Sequence, residues 1–313
     1  MGPSAQPTSE NRMNDACKHK RVLLLANQDK PEAVEIQREL LSWLNDQVQV
    51  VGHNLGQPLD LARRPDADYL IVLGGDGTLL ATVRELGTNQ APIIGVNIGK
   101  LGYLAEYSAQ NLREHLPRAL TDRSLISSRM ILSCEISGPD GKVFESLLVN
   151  EVALIAGPPF RMIDVNVTVG SDAMVNCRGD GLIVSTPSGS TAYNLSAGGP
   201  ILEPTLECVV ITPLAPHSLS FRPVVVEIDQ PICLKCPSCG RPGEIPHEQG
   251  GRAKPSAMIV IDGQVYHSIG PDDQIVIRRH PALFQLVRQP EHGPWKLLNT
   301  KLNWAAGLPY NKP

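Results

Sequence analysis

A short glycine-rich stretch around one acid, placed directly after an apolar run, constrains this chain more than any other feature. The run Tyr69–Leu73 is short and aliphatic, which is typical of a buried strand. Residues 74–78 then read Gly-Gly-Asp-Gly-Thr. The glycines permit a sharp turn whose N–H groups can hold phosphate oxygens, and Thr78 can cap a helix that begins at Leu79.

The acid in this stretch is Asp76, which lies at the C-terminal end of the predicted strand. Open α/β sheets bind their ligands at that edge. A carboxylate there can orient or deprotonate a hydroxyl group that attacks a phosphoryl group. The alternative is a plain Gly-Asp-Gly turn that binds no ligand.

Composition excludes several classes of protein. The 313 residues suffice for one large or two ordinary domains, and the formal charge of −4 argues against a nucleic-acid partner. No apolar run is long enough to span a membrane, so we expect no membrane partner. Residues 1–20 are polar and predict a disordered leader. The seven cysteines, an odd number, suggest reduced thiols in a cytoplasmic protein.

The first part of the chain alternates strands and helices. Residues 21–126 therefore predict an α/β domain with a mostly parallel, Rossmann-like sheet that carries the Gly-Gly-Asp-Gly-Thr stretch. The predicted elements are strands at 21–26, 48–51, 69–73 and 92–97 and a helix at 31–45. Two more glycines in residues 97–104 predict a loop at the same sheet edge as Asp76.

The pattern changes near residue 127, where short apolar runs separated by turns begin. Residues 127–290 predict a β-rich second domain. Its predicted strands are 129–137, 142–150, 151–155, 162–169, 182–185, 208–211, 224–228, 258–261 and 274–277. Residues 291–313 form a C-terminal segment, with a possible short helix at 295–308, that we expect to pack on the first domain.

A second stretch suited to ligand binding lies in this β-rich domain, at residues 178–200. A strand enters a turn built on Pro187 and Gly189, and a hydroxyl-rich helix start follows. Tyr193 can stack on a flat ligand. The hydroxyl groups that can bind the ligand's polar edge are those of Ser188, Thr191 and Ser196. The alternative is a plain helix N-terminus with a serine or threonine cap.

Taken together, five stretches in this order resemble the NAD kinase family. They are residues 74–78, 150–151, 186–193, 194–200 and 216–223. The resemblance runs from about Arg21 to Trp304, nearly the whole chain. Diacylglycerol-type lipid kinases and phosphofructokinases share similar Gly-Gly-Asp-Gly turns, whereas the long stretch 186–200 is specific to NAD kinases.

The resemblance implies transfer of a phosphoryl group to the 2′-hydroxyl of the adenosine ribose of NAD, which gives NADP. It implies that Asp76 is the catalytic residue and that Gly74, Gly75 and Thr78 form the phosphate or donor loop. The residues that it assigns to NAD binding are Asp76, Gly77, Asn150, Glu151, Arg161, Arg178, Asp180, Thr191, Ala192, Tyr193, Asn194, Leu195, Ser196 and Gln264.

The resemblance also implies partners. A magnesium ion accompanies the nucleotide donor, and the protein is a cytoplasmic homo-oligomer, a dimer or tetramer. It leaves open whether the donor is ATP, another triphosphate or polyphosphate, and whether NAD or NADH is preferred. A lipid kinase would need an apolar pocket in the β domain, which the hydroxyl-rich stretch disfavours. A catalytically silent NAD-binding protein is the other alternative, although Asp76 is intact.

Residues 230–255 depart from the family pattern and predict an insertion between two strands. Cys236-Pro-Ser-Cys239-Gly240 resembles one knuckle of a zinc ribbon, and Cys233 and His247 could complete four ligands. A second Cys-x-x-Cys pair is missing, so a loop with free thiols is the favoured alternative. The site proper is predicted to hold no resident metal, and we expect the insertion to be dispensable for catalysis.

Overall fold

The chain divides into two compact units. The first comprises Met1–Ser128 and Gln285–Pro313, and the second comprises Arg129–Phe284. The computed structural model describes residues 15–99, 102–172, 174–241, 255–291 and 294–302. The boundary between Phe284 and Gln285 falls inside a strand, whereas the sequence predicts this boundary at residue 290.

The strands in the described residues are β1 (Arg21–Ala26), β2 (Gln49–His53), β3 (Tyr69–Leu73), β4 (Ile93–Val96), β5 (Ile126–Gly138), β6 (Gly141–Leu148), β7 (Glu151–Ala156), β8 (Ile163–Val169), β9 (Val175–Gly179), β10 (Gly181–Ser185), β11 (Cys208–Leu214), β12 (Val224–Glu227), β13 (Ile232–Lys235), β14 (Ala257–Ile261), β15 (Val265–Ile269) and β16 (Gln274–Val287). The helices there are α1 (Pro31–Leu44), α2 (Asp76–Leu86), α3 (Ala109–Thr121), the single turn α4 (Tyr193–Ser196) and α5 (Pro294–Leu302).

The first unit is built on a parallel sheet, as predicted. Its strand order is β2-β1-β3-β4, and the end of β16 lies beside β4 through the parallel pair Leu286 and Ile93. β3 and β4 are buried along their whole length, which explains their unbroken aliphatic runs. Because the strands are parallel, their C-terminal ends share one edge, and α2 begins there at Asp76.

The helices of this unit follow their apolar periodicity. α1 begins at Pro31, whose fixed φ suits a first turn, and it buries Ala33, Leu40 and Leu44. α2 has Gly75 as its N-cap and no side-chain cap. The prediction that Thr78 caps this helix is therefore wrong.

The second unit is β-rich, as predicted, with strands in two layers around one core. The first layer has the antiparallel order β12-β11-β10-β7-β14-β15. The other contains β16-β13-β8-β9, with β5 paired to β16 and to β6. Leu132 of β5, Leu154 of β7 and Leu234 of β13 belong to the same apolar cluster, so burial of both inner faces holds the layers together.

One segment was assigned wrongly from the sequence. Residues 230–255 are not a dispensable insertion, because they contain β13, an interior strand paired with both β16 and β8. Ile232 and Leu234 are fully buried, and Cys236 and Cys239 join the same core. Residues 242–254, including His247, lie outside the described part of the chain.

The chain's two ends also differ from expectation. Cys17 is buried in the first unit, with its Sγ 3.6 Å from the carbonyl oxygen of Pro117. The prediction of a disordered leader is therefore wrong for residues 15–20, and residues 1–14 are outside the described ones. The predicted C-terminal helix exists as α5, which groups with the first unit. None of the helices in the described residues is both long and apolar enough to cross a bilayer.

Candidate functional site

Asp76 is the first residue of α2, two glycines after the end of the buried strand β3, and is half-buried. Its carboxylate accepts three backbone N–H groups from the loop after β4. Oδ2 accepts Tyr103 N at 2.8 Å, and Oδ1 accepts Leu104 N at 2.9 Å and Ala105 N at 3.1 Å. The acid is thus fixed in place, and residues 97–99 and 102–104 lie at the sheet edge that the sequence predicts for this loop.

The two oxygens of Asp76 are not equally occupied. A carboxylate offers about four acceptor positions. Within the described residues Oδ1 uses two of its positions and Oδ2 uses one. Oδ2 therefore retains a lone pair with which to accept a proton from a ligand hydroxyl.

Gly74 serves close packing here, whereas a Cβ on Gly75 would meet no atom within 4 Å. A Cβ on Gly74 would lie 2.6 Å from the Cβ of Thr78, so the two residues pack directly on each other. The N–H of Gly74 donates to Val96 O at 2.9 Å, and that of Thr78 donates to Gly75 O at 3.0 Å. These two amides are engaged, and the predicted nest of phosphate-binding amides is wrong for them. The role of Gly75 in donor binding stays a prediction.

The charge of Asp76 affects the pKa values of two side chains in the first unit. Burial, aided by that charge, raises the pKa of the Tyr103 phenol. Burial lowers the pKa of Lys301 in α5, and the charge of Asp76 opposes that shift. A cationic side chain from α5 therefore contributes to the electrostatics around the acid.

A second polar centre lies in the second unit, at the segment that joins β6 to β7. Asp262 occupies the β14–β15 turn and accepts hydrogen bonds from Asn150 N at 2.8 Å, from Glu151 N at 3.2 Å and, on both oxygens, from Val149 N at 3.2 Å. Asp262 and Gly263 both have positive φ, 48° and 65°, in the short loop between the paired residues Ile261 and Val265.

Glu151 is the buried acid of this centre. The residue is 5% exposed, and its Oε2 has no hydrogen-bond partner among the described residues. Burial first, and the neighbouring charge of Asp262 second, raise the pKa of Glu151 to about 8. A backbone N–H from Tyr193 opposes this shift. Ser188 is also buried with an unpartnered hydroxyl in the described structure.

A cavity of about 510 Å³ opens beside these elements in the second unit. Three predicted NAD-binding residues line it, namely Asp180, Tyr193 and Ser196. Ile155 and Leu214 supply apolar lining. The Tyr193 side chain is 43% exposed, so its ring is available to a ligand. A cavity lined by both polar and apolar groups can accept a nucleoside, which has a flat ring and a polar edge.

The structure places the remaining predicted residues in several ways. Arg161, Arg178 and Gln264 are exposed, and none of the three lines the cavity. The side chain of Asn194 is buried and bonds to Ser190 O, Pro200 O and Thr212 Oγ1, so it is a structural group here. The half-buried predicted residues near it are Thr191, Ala192 and Leu195. Gly77 lies in the first turn of α2.

The glycine at the centre of the hydroxyl-rich turn has a packing role. A Cβ on Gly189 would lie 2.6 Å from Cα of Asn150 and overlap its carbonyl group. The close approach that the small residue permits is thus to the backbone of the 149–151 segment. This contact ties the turn at 188–191 to that segment.

The cysteines do not form a metal site in the described residues. Cys236 and Cys239 are buried in the core, whereas Cys233 is only half-buried. No group of three or more histidine, cysteine, aspartate or glutamate side chains suited to a metal occurs in the part of the chain that the structure describes. All seven cysteines are free thiols.

Comparison with known proteins gives matches over most of the chain. The model of the ATP-NAD kinase N-terminal domain matches residues 59–124, and that of the ATP-NAD kinase C-terminal domain matches residues 149–289. The NAD kinase of Rhodopirellula baltica is 32% identical over 92% of this chain and 88% of its own. The NAD kinase of Geobacter sp. (strain M21) is 35% identical over 91% and 99%.

Solved structures give the same result. An NAD kinase from Archaeoglobus fulgidus in complex with ATP aligns with a TM-score of 0.66 at 28% identity, over 87% of this chain and 94% of that one. Yeast NADH kinase complexed with NADH aligns with a TM-score of 0.80 at 21% identity, over 94% and 91%, and shows the shared fold.

The fold and the two polar centres, with these matches, define a phosphotransferase enzyme that acts on nucleotides. The chain belongs to the NAD kinase family.

Two contributors were missed from the sequence. The sequence identifies Asp262 only as a turn residue, because its hydrogen bonds reach residues more than a hundred positions away. It identifies Gly102 only as part of a loop and does not predict the contact with Asp76. A Cβ on Gly102 would lie 2.6 Å from Cγ of Asp76 and overlap Oδ1. The Asp-Gly and Gly-x-x-Gly patterns were the available signals.

Proposed function

We propose that this chain transfers a phosphoryl group from a nucleotide donor to the 2′-hydroxyl of the adenosine ribose of NAD and thereby produces NADP. The observation that carries the proposal is Asp76 itself. Its carboxylate lies at the C-terminal end of β3, is held by three amides, and keeps a lone pair on Oδ2.

In this mechanism Asp76 orients the ribose hydroxyl and takes its proton. The hydroxyl oxygen forms a bond to the terminal phosphorus of the donor as the bond from phosphorus to the leaving phosphate oxygen breaks. The O–H proton passes to Oδ2. Fixing the carboxylate in advance means that little reorganisation accompanies the reaction, so positioning supplies much of the rate enhancement.

The second unit binds NAD in this proposal. Tyr193 stacks on a ring, while Asp180 and Ser196 bind polar groups in the cavity. Asn150 and Glu151 bind polar groups of the nucleoside. Further contacts come from the other predicted residues of this unit, with Asn194 using its backbone because its side chain is engaged: Arg161, Arg178, Thr191, Ala192, Asn194, Leu195 and Gln264. In the first unit, Gly77 is the other predicted NAD-binding residue beside Asp76.

The described residues do not fit a resident metal ion, because no cluster of ligating side chains is present among them. We therefore propose that a divalent ion, magnesium, enters with the phosphates of the donor, and no step above depends on it. ATP is the donor that we favour, since the related Archaeoglobus fulgidus enzyme was solved in complex with ATP.

We further propose that the protein is a homo-oligomer in the cytoplasm. Support for association comes from β12 at the edge of its sheet, where Val224 is 53% and Val225 is 47% exposed. An exposed apolar edge strand is a common site of pairing between copies. Light scattering coupled to size-exclusion chromatography measures the mass, and a monomeric mass at micromolar protein contradicts this part.

The catalytic proposal is tested by incubating the protein with NAD, ATP and magnesium and measuring NADP with an NADP-specific dehydrogenase. We expect NADP from the parent and a loss of about 10²–10⁴-fold in kcat for Asp76→Asn, because an amide cannot take the proton. Asp29→Asn, an exposed acid in the same unit, is the matched control and should keep the parent rate.

Two outcomes contradict the proposal. One is the absence of NADP from folded parent protein across a panel of ATP, other triphosphates and polyphosphate. The other is an Asp76→Asn variant whose rate stays within a few-fold of the parent. Thermal unfolding must accompany the assay, because the amide also replaces an acceptor of three N–H groups. The same panel, run with NADH in place of NAD, defines the preferred acceptor.

A further inference from the structure

The segment 149–151, which carries two of the predicted NAD-binding residues, is clamped from both sides. On one side Asp262 accepts the amides of Val149, Asn150 and Glu151. On the other, Thr186 donates its N–H to Asn150 O at 2.8 Å and its hydroxyl to Val149 O. Consequently the direction in which Asn150 and Glu151 present their side chains is set by these two residues.

Asp262 is energetically unfavourable at this position unless other groups compensate for its burial and its backbone conformation. It is 6% exposed, and a buried carboxylate requires compensating donors. Its φ of 48° is a conformation that aspartate and asparagine tolerate better than other residues apart from glycine. The amides of the 149–151 segment supply donors that favour the charged form of this carboxylate.

When Asp262 is charged, the proton shared by this pair of carboxyl groups resides on the buried Glu151. Two adjacent carboxyl groups in a buried site do not both ionise readily, so the proton resides on the one with fewer donors. Glu151 receives a single backbone N–H, from Tyr193 of α4, and its Oε2 has no partner among the described residues. In that part of the chain Asp262 is the charged side chain that acts on Glu151.

We propose that Asp262 is a positioning residue of the nucleotide site, which orients Asn150 and Glu151 and keeps Glu151 in its neutral acid form. Glu151 then presents an O–H donor from Oε2 to an uncharged acceptor of the bound nucleoside, either a ring nitrogen or a ribose oxygen. This inference rests on the proposed function, because it takes NAD as the ligand of this site.

The state of Glu151 gives a pH signature that a purely structural role lacks. The pKa of Glu151 is raised by burial and by Asp262 to about 8. The donor is therefore present below that pH and lost above it, so NAD affinity should fall as the pH rises through about 8. Asp262→Asn removes the charge, and we expect the midpoint of this loss to move about one pH unit lower.

The experiment is calorimetric titration of the full-length protein with NAD, without donor, between pH 6 and 9.5. The variants are Asp262→Asn, Glu151→Gln and the double variant. Glu151→Gln supplies a permanent N–H donor, so its affinity at pH 7 should stay within a few-fold of the parent and show no midpoint in this range. The double variant should show none either.

The matched control is Asp140→Asn, because Asp140 also precedes a glycine with positive φ at a hairpin turn but is exposed. It should reproduce the parent curve. In turnover assays at pH 7.5, Asp262→Asn should raise KM for NAD several-fold with kcat nearly unchanged, since Glu151 binds and does not react.

Titration of ¹³C-carboxyl-labelled glutamate by NMR, on ligand-free protein, follows Glu151 directly and tests the coupling independently of NAD. A midpoint for Glu151 that is the same in the parent and in folded Asp262→Asn overturns the inference. So does an NAD affinity that increases with pH through this window. If the parent does not bind NAD at all, the proposed function fails, and the NMR titration still decides whether Asp262 controls Glu151.

Discussion

Gly102 lies against the carboxylate of Asp76 so closely that a Cβ on the glycine would stand 2.6 Å from Cγ. No side chain other than hydrogen fits at this position while the acid keeps its three amide bonds. The backbone of the loop therefore fixes the position of the carboxylate, which we call its template role.

Replacing this glycine should disable the enzyme without touching a reactive group. In Gly102→Ala the methyl group overlaps Oδ1 and displaces either the carboxylate or the amides that hold it. Misplacement by about 1 Å costs on the order of 10²-fold, which we expect in kcat. The measurement is the NADP assay, with thermal unfolding in parallel.

Gly99→Ala is the matched control for this substitution, because the nearest atom to a Cβ there is 4.0 Å away. It should retain the parent rate. An active Gly102→Ala enzyme with an unaltered kcat contradicts the template role.

Tyr193→Ala should weaken NAD binding more than it slows turnover. The ring lines the cavity and is partly exposed, so its loss removes an interaction made equally in the ground and transition states. Aromatic stacking contributes about 0.5–1.5 kcal/mol, which corresponds to an increase in KM of a few-fold to about tenfold. Steady-state kinetics with NAD as the varied substrate measure it.

The corresponding control is Tyr266→Ala, which removes an exposed tyrosine from the edge strand β15 and should leave KM unchanged. Equal KM values for the parent and Tyr193→Ala would remove Tyr193 from the binding site.

Glu151 should also make stability depend on pH. The pKa of Glu151 is about 8 in the folded protein, against 4.5 for an unperturbed glutamate. The folded state thus binds a proton that the unfolded state releases between these values, and stability falls as the pH rises from about 5 to about 8. One pKa unit corresponds to about 1.4 kcal/mol, so the loss amounts to a few kcal/mol at most.

Thermal unfolding of parent and Glu151→Gln at pH 6 and at pH 9 tests this relationship. We expect the variant's advantage in melting temperature to be larger at pH 9, where the parent must hold a buried charge. Parallel pH profiles for the two proteins would contradict the buried acid.

Leu234→Ala should destabilise the protein strongly. The side chain is fully buried on the interior strand β13, and truncation of a buried leucine costs about 2–5 kcal/mol. Cys233→Ser, at the half-buried neighbouring position of the strand, should cost much less. Melting temperatures by calorimetry compare the two. If both variants melt with the parent, β13 does not belong to the core.

The sequence predicted those parts of the fold whose signals are local. The apolar run of β3, the periodicity of α1 and the change to short strands near residue 127 each follow from neighbouring residues. The sequence does not predict β13 as a strand, because it is only four residues long and is followed by Cys-Pro-Ser-Cys-Gly, which is typical of a loop. Its strand character depends on pairing with β8 and β16, which are distant in sequence.

The candidate site shows the same division. Asp76 and Tyr193 could be selected from the motifs that contain them. The roles of Asp262 and Gly102 could not, because they depend on long-range contacts. Asp262 binds the amides of residues 149–151, and Gly102 lies against a carboxylate 26 positions earlier. Composition and spacing do not encode such contacts.

The strand β16 has a consequence for synthesis of the chain on the ribosome. Its last residues pair with β4, yet they are translated only after the whole of Arg129–Phe284. At about 5–20 residues per second, this edge of β4 waits for roughly ten seconds or more with its Ile93 end unpaired, while Tyr107 bridges Val96 at the other end. During that interval the nascent first unit needs protection from edge-to-edge association. A chain that terminates early within the second unit never acquires the β16 residues that pair with β4.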